Sequence, residues 1–122
     1  ILLPMLKKKG VYTIGVRFVS KEEISKLNQQ YRRKKNPTDV LSFGQPVHGS
    51  MPSTEWSLGD IVICPAFAKQ EAKRRGLPWQ EELVRLLIHG TLHLFGFDHQ
   101  TKKDELRMYR LQEQCVERVM HV

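Results

Sequence analysis

Three histidines fall within the run His89-Gly90-Thr91-Leu92-His93-Leu94-Phe95-Gly96-Phe97-Asp98-His99. No other feature of the chain restricts its fold as much. His89 and His93 are four apart, which on a helix places them one turn apart on the same face. Gly96 can take positive φ and close that helix, so that the returning chain brings His99 toward the other two. Imidazoles placed in this way reach one ion at about 2.0–2.1 Å, and three nitrogen donors with a fourth position open make a catalytic rather than a closed structural zinc arrangement. A lone histidine on an apolar face is usually a hydrogen-bonded core residue. Three at this spacing, with a helix-ending glycine between the second and third, read instead as metal ligands. His48 and His121 have no such neighbours and read as surface residues.

The spacing matches that of the metzincin proteases, with one difference. Their glutamate, the general base for water attack on a peptide, is replaced here by Gly90. Peptide hydrolysis thereby loses its base, whereas a metal that activates water or polarises a phosphoryl oxygen still suits phosphodiester cleavage.

The remaining chain alternates short strands with amphipathic helices. Val11 to Phe18, rich in β-branched and aromatic residues, predicts a strand. Ser20-Lys21-Glu22-Glu23 is a capping box, followed by Ile24, Leu27 and Tyr31 at helical spacing and by Pro37 and Thr38 as breakers. Val40 to Phe43 reads as a second strand, Gly44 to Ser57 as a long loop, and Leu58 to Ile63 as a third strand ending at Cys64. Pro65 suits the first turn of a helix that runs to Arg75 and a Gly76 cap. A stronger helix extends from Pro78 to about Gly96, with Leu83, Leu86, Leu87 and Leu94 facing the core. Thr101 and Asp104 cap a last helix, whose apolar positions are read as Leu106, Tyr109, Val116 and Met120. The expected fold class is α/β (α+β), a small mixed sheet of three to four strands packed with four or so helices, in a single domain over residues 1–122.

At the N-terminus, Ile1 to Leu6 precede Lys7-Lys8-Lys9, the reverse of a signal peptide's order. They read as the end of a helix or loop of the same domain, stopped by Gly10, with the true beginning of the chain expected to be missing. No apolar run approaches the roughly 18 residues of a membrane span. Cys64 and Cys115 are far apart, without zinc-knuckle spacing, and fit reduced thiols. Twenty Lys and Arg against 13 Asp and Glu leave +7, which favours polyanionic partners through counterion release and steering. Part of the excess lies in Tyr31-Arg32-Arg33-Lys34-Lys35. On spacing alone, this run reads as cations complementing a helix C-terminus, although an Arg fork is also a bidentate phosphate ligand.

Asn28-Gln29-Gln30-Tyr31-Arg32, Pro37-Thr38-Asp39-Val40-Leu41-Ser42-Phe43, Leu58-Gly59-Asp60-Ile61 and the histidine run together resemble, in order, the YbeY family of metal-dependent, single-strand-specific endoribonucleases. The likeness extends from about Val11 to the C-terminus. It implies that His89, His93 and His99 bind zinc (Zn2+, one per chain) and that Arg32 is needed for activity. It also implies a cytoplasmic role in small-subunit rRNA 3′-end processing and ribosome quality control. The implied partners are single-stranded RNA and the ribosomal small subunit or its associated proteins. Two positions depart from the family pattern: Lys35 stands where many relatives carry Asp, and Phe97 where Tyr is frequent.

The mechanism expected is an RNA strand lying between the helix that carries Arg32 and the three-histidine site. Arg33, Lys34 and Lys35 would contact phosphates, and Arg32 would steady charge developing at phosphorus. Asp98 is a candidate general base and equally a partner orienting a histidine. Trp56 and Trp79 read as packing residues that could also stack on bases. Two other readings compete: an RNA-binding ribosome-assembly factor whose metal is structural, and a metal hydrolase of peptides or small molecules. Three imidazoles also suit nickel, copper, iron and cobalt.

Overall fold

Local chemistry sets the element boundaries in the computed structural model, which describes residues 11–32, 38–44, 55–97 and 101–121. Strand β1 spans Val11–Phe18, helix α1 Lys21–Arg32, β2 Val40–Gly44, β3 Glu55–Ile63, α2 Pro65–Arg75, α3 Trp79–Leu94 and α4 Lys102–Met120. Ser20 Oγ accepts the Glu23 backbone N–H at 3.1 Å, the first half of the expected capping box, while the Glu23 carboxylate is engaged by Arg17. Thr101 caps α4 in the same way, accepting from Asp104 N at 3.1 Å. Pro65 occupies the first turn of α2, and Gly76, at φ 67°, ends that helix. There Leu77 N donates to Ala72 O and Gly76 N to Lys73 O, the paired bonds of a Schellman cap.

The sheet has strand order β1-β3-β2, with β1 parallel and β2 antiparallel to β3. Among the described residues it is therefore a three-stranded mixed sheet with four helices, as expected for an α/β domain. The expected loop over 44–57 is shorter, because β3 begins at Glu55.

Within β3 the register slips. Thr13 pairs with Ser57 but Ile14 pairs with Gly59, so Leu58 is the extra residue of a bulge. Gly59 stands at φ 131°, and a Cβ there would meet Phe43 O at 2.1 Å. Only glycine permits this turn of the strand. The bulge brings Leu58 into one core cluster with Ile61 and Ile63, packed with Ala68, Leu86 and Leu94. Val19, Ile24, Leu41, Val62 and Cys64 form a second cluster, with α1 contributing Ile24 to it. Alternation along β3 sends Ile61 and Ile63 to one face and Val62 to the other. The sheet is thus sandwiched, with α2 and α3 on one face, α1 on the other, and α4 behind α3.

Leu86 is buried, with Leu83 and Leu87 packed against the same cluster, as expected. The apolar stripe of α4 needs correction. Val116 is buried as expected, but Leu106 and Tyr109 are each 56% exposed and Met120 is exposed as well; the other inward positions are Met108 and Gln112. On α1, Ile24 is buried as expected, but Tyr31 is 60% exposed and rests edge-on against Phe43 at 5.3 Å between centroids. Its place in the buried row is taken by Asn28. Both misreadings come from the same choice, letting an amphipathic aromatic or Leu outrank a polar residue that has partners inside. Cys64 and Cys115 are free thiols, and His121 is exposed at the end of α4. Trp79 opens α3 with Lys69 Nζ 4.9 Å above its ring. Among the described residues, no helix is long and apolar enough to cross a membrane.

Candidate metal centre

Helix α3 ends as its sequence requires. Gly96 takes φ 95°, with Gly96 N donating to His93 O and Phe97 N to Leu92 O, each at 3.0 Å. This second Schellman cap sits directly after the histidine pair. Upstream, the helix lies flush on the sheet at Gly90. A Cβ there would stand 3.0 and 3.1 Å from two Ile61 carbons and 3.1 Å from Ser42 Oγ, and Ser42 Oγ donates to Gly90 O at 3.2 Å. The position that carries the glutamate base in the metzincins thus faces the sheet, where a carboxylate would have to displace Ile61 and Ser42.

One step around the helix, His89 and His93 bring their rings together, 4.6 Å between centroids. Their Nε2 atoms are 3.1 Å apart. Two nitrogens each about 2.05 Å from one ion, at a tetrahedral angle, stand roughly 3.3 Å apart. The observed pair therefore fits a shared transition metal after a slight opening. His89 Nδ1 is 2.7 Å from Gln112 Oε1 of α4. Gln112 in turn donates through Nε2 to Glu113 Oε2 at 3.2 Å. An open cleft of about 310 Å³ beside His89 is lined by Glu105, Met108, Tyr109 and Gln112.

Sequence reasoning missed Gln112. The signal for Gln112 is a polar residue in the 108/112/116 row of α4, a row that a stripe through Leu106 and Tyr109 turns outward. Asp39 lies at the entrance to β2, within the motif at 37–43. Burial pushes its carboxyl above the ordinary value of 3.8, opposed by its own backbone N–H and by the charge of His89.

Of the residues expected at the site, His89 and His93 come together as described. His99 and Asp98 lie outside the described residues, as do Arg33, Lys34 and Lys35. Among the described residues, no three potential ligands converge. Arg32 is the last residue of α1, and its side chain lies outside what the structure describes. Tyr31 packs on Phe43 of β2, while the adjacent Ser42 bonds Gly90 of α3. The end of α1 and the histidine turn of α3 therefore flank opposite faces of one edge strand.

A helix carrying paired imidazoles, closed by a glycine turn and laid on a small mixed sheet, defines a candidate single-metal hydrolase. The sequence profile described as "Endoribonuclease YbeY" matches residues 2–120, and the chain belongs to the YbeY family. It is 42% identical over 108 residues to the Endoribonuclease YbeY of Persephonella marina, covering 87% of this chain and 69% of that protein. Over 113 residues it is 39% identical to the Endoribonuclease YbeY of Halalkalibacterium halodurans, covering 86% and 70%. A solution structure of a Thermotoga maritima protein superposes with a TM-score of 0.61 at 34% identity, covering 92% of this chain and 71% of that one.

Proposed function

We propose that this chain is a metal-dependent endoribonuclease of single-stranded RNA, acting as a single domain in rRNA maturation. The observation that carries this reading is the convergence of His89 Nε2 and His93 Nε2 at 3.1 Å in a chain of the YbeY family. His89, His93 and His99 hold one zinc ion, which supplies Lewis-acid activation of water and of the scissile phosphate when bound. The chain's own residues do the rest. Arg32, at the C-terminal end of α1, clamps the phosphate and offsets charge that develops there during cleavage. Arg33, Lys34 and Lys35 add phosphate contacts that do not depend on base sequence. RNA runs around β2, from the end of α1 on one face to the histidine turn on the other. The net charge of +7 draws the polyanion in and makes binding steeply salt-dependent. The family points to the 3′ end of small-subunit rRNA as substrate, to ribosome quality control, to the small subunit as partner and to the cytoplasm as location.

Peptide hydrolysis is disfavoured by Gly90, whose side of the helix is filled by Ile61 and Ser42. The deciding experiment is elemental analysis and single-stranded RNA cleavage on wild type and His89→Ala/His93→Ala. About one metal per chain, lost together with cleavage in the double variant, supports the proposal. Metal without cleavage by the wild type supports a structural metal in an assembly factor. Absence of metal from freshly prepared wild type overturns the site.

A further inference from the structure

A chain of hydrogen bonds leads away from the histidine pair into the joint between α3 and α4, and its chemistry runs in only one direction. It begins at Arg85, whose guanidinium can only donate. Arg85 Nε and Nη2 each meet a Glu113 oxygen at 2.9 Å, and Nη1 meets Glu82 Oε2 at 3.1 Å. Glu113, ionised by this bidentate contact, can only accept. The group of Gln112 that faces Glu113 Oε2 at 3.2 Å must therefore be its NH2. That fixes the amide, which is buried to 8% exposure, and turns Oε1 toward His89 Nδ1 at 2.7 Å. An amide oxygen can only accept, so His89 Nδ1 carries the proton. In the neutral ring, Nε2 is then the unprotonated nitrogen, on the side of His93.

We infer that Gln112, locked by the Arg85–Glu113 pair, is a positioning residue that sets the tautomer of His89 and presents its Nε2 as a ready electron-pair donor. Arg85 also links to Glu82, and Glu82 to Arg75 of α2 at 3.3 Å. The orientation of one imidazole is thus tied to the packing of three helices. With that tautomer, the 3.1 Å contact between the two Nε2 atoms has His93 as its donor. Ligand partners of this kind are usually worth 10–100-fold in metal affinity. The inference about affinity rests on His89 and His93 being metal ligands. The inference about the tautomer does not.

The experiment uses the full chain in three forms: wild type, Gln112→Leu, and the exchange Gln112→Glu/Glu113→Gln. Leu keeps the volume and removes the acceptor. The exchange rebuilds the direction of the relay, since Gln at 113 accepts from Arg85 and donates to Glu at 112, which accepts from His89. Zinc affinity is read by competition with a chromogenic chelator, and ring protonation by long-range 1H–15N NMR at a pH where the imidazoles are neutral. Amide dispersion reports that each variant is folded. The expected result is Nδ1–H at His89 in wild type and in the exchange, and a shift toward Nε2–H in Gln112→Leu. That shift should accompany an affinity loss of about 10–100-fold, recovered to within a few-fold by the exchange. A folded Gln112→Leu with the wild-type tautomer and wild-type affinity overturns the proposal, as does an exchange variant no better than Gln112→Leu. If wild type takes up no zinc, the metal reading falls while the ring tautomers still decide the relay.

Discussion

His89 sits where separate helices are bound to one another. Gln112 of α4 fixes its ring, Arg85 of α3 grips Glu113 of α4, and Ser42 of β2 bonds the helix backbone at Gly90. At the C-terminal end of α1, Tyr31 stands 60% exposed with one aromatic neighbour, and the pair nearest the start of that helix, Arg17 with Glu23, is exposed on both sides. The contrast follows from what each region would bind. Coordination tolerates errors of about 0.2 Å, so a ligand helix must be held by several neighbours. Phosphate is reached by long cationic side chains over several ångströms, and a solvated field steers it without fixed geometry. On the proposed function, one region is organised for position and the other for charge.

The largest effect that can test this contrast is loss of the ligands. His89→Ala/His93→Ala should lower RNA cleavage by about 10³-fold or more and abolish metal uptake. Arg32→Ala should lower cleavage by about 10²–10³-fold, the usual cost of one electrostatic stabiliser. Its metal content and melting temperature should match wild type if, as proposed, it serves the phosphate rather than the fold. A drop of several degrees in Tm for Arg32→Ala would break the comparison and make the residue structural.

Next in size is Gly90→Ala. The added methyl gains about 1 kcal/mol of helix propensity but meets Ile61 and Ser42 at 3.0–3.1 Å. Overpacking typically costs about 1–3 kcal/mol. Net destabilisation of about 1 kcal/mol in urea denaturation is expected, with weaker zinc binding as α3 lifts from the sheet. A variant as stable as wild type would mean that the helix can shift without cost, and that its close seating on the sheet does not position the histidines.

Much of this organisation was legible in the residues, and the reason differs by element. Helix ends carry local chemistry, so Ser20, Pro65, Gly76, Gly96 and Thr101 could each be read without knowing the fold. The histidine pair was equally local, a matter of four-residue spacing. What failed depended on distant partners. Gln112 looks like a surface residue until Glu113 and His89 are known to meet it. Leu106 and Tyr109 look like core until α3 is seen to cover the other side of α4. The bulge at Leu58 was illegible for a similar reason. Nothing in Leu-Gly-Asp announces a register slip until β1 lies beside it and Gly59 is found against Phe43 O.

The smallest predicted effect separates the ion pair behind the histidines from an exposed pair on α2 by acid. Glu113 is held below its ordinary value of 4.5, first by its hydrogen bond to Arg85, with burial opposing and Gln112 assisting. Glu71 is also lowered, by Arg74, but in an exposed pair. A carboxylate depressed in the folded state contributes stability that is present above its unfolded value and lost as pH falls through the folded one. Wild type should therefore be more stable than Glu113→Gln at pH 7, and the gap should close as pH falls below the ordinary carboxylate value of 4.5. Its size is about 1 kcal/mol or less, because Glu113 remains partly solvated. Denaturation is measured in chelator, so that proton release on metal binding does not enter. Glu71→Gln should show a smaller gap over the same range, because water and salt screen its pair at every pH. Equal gaps for the two variants would mean that the Arg85–Glu113 contact is as loosely held as a surface pair, and the region around His89 would lose its main support as one organised for position.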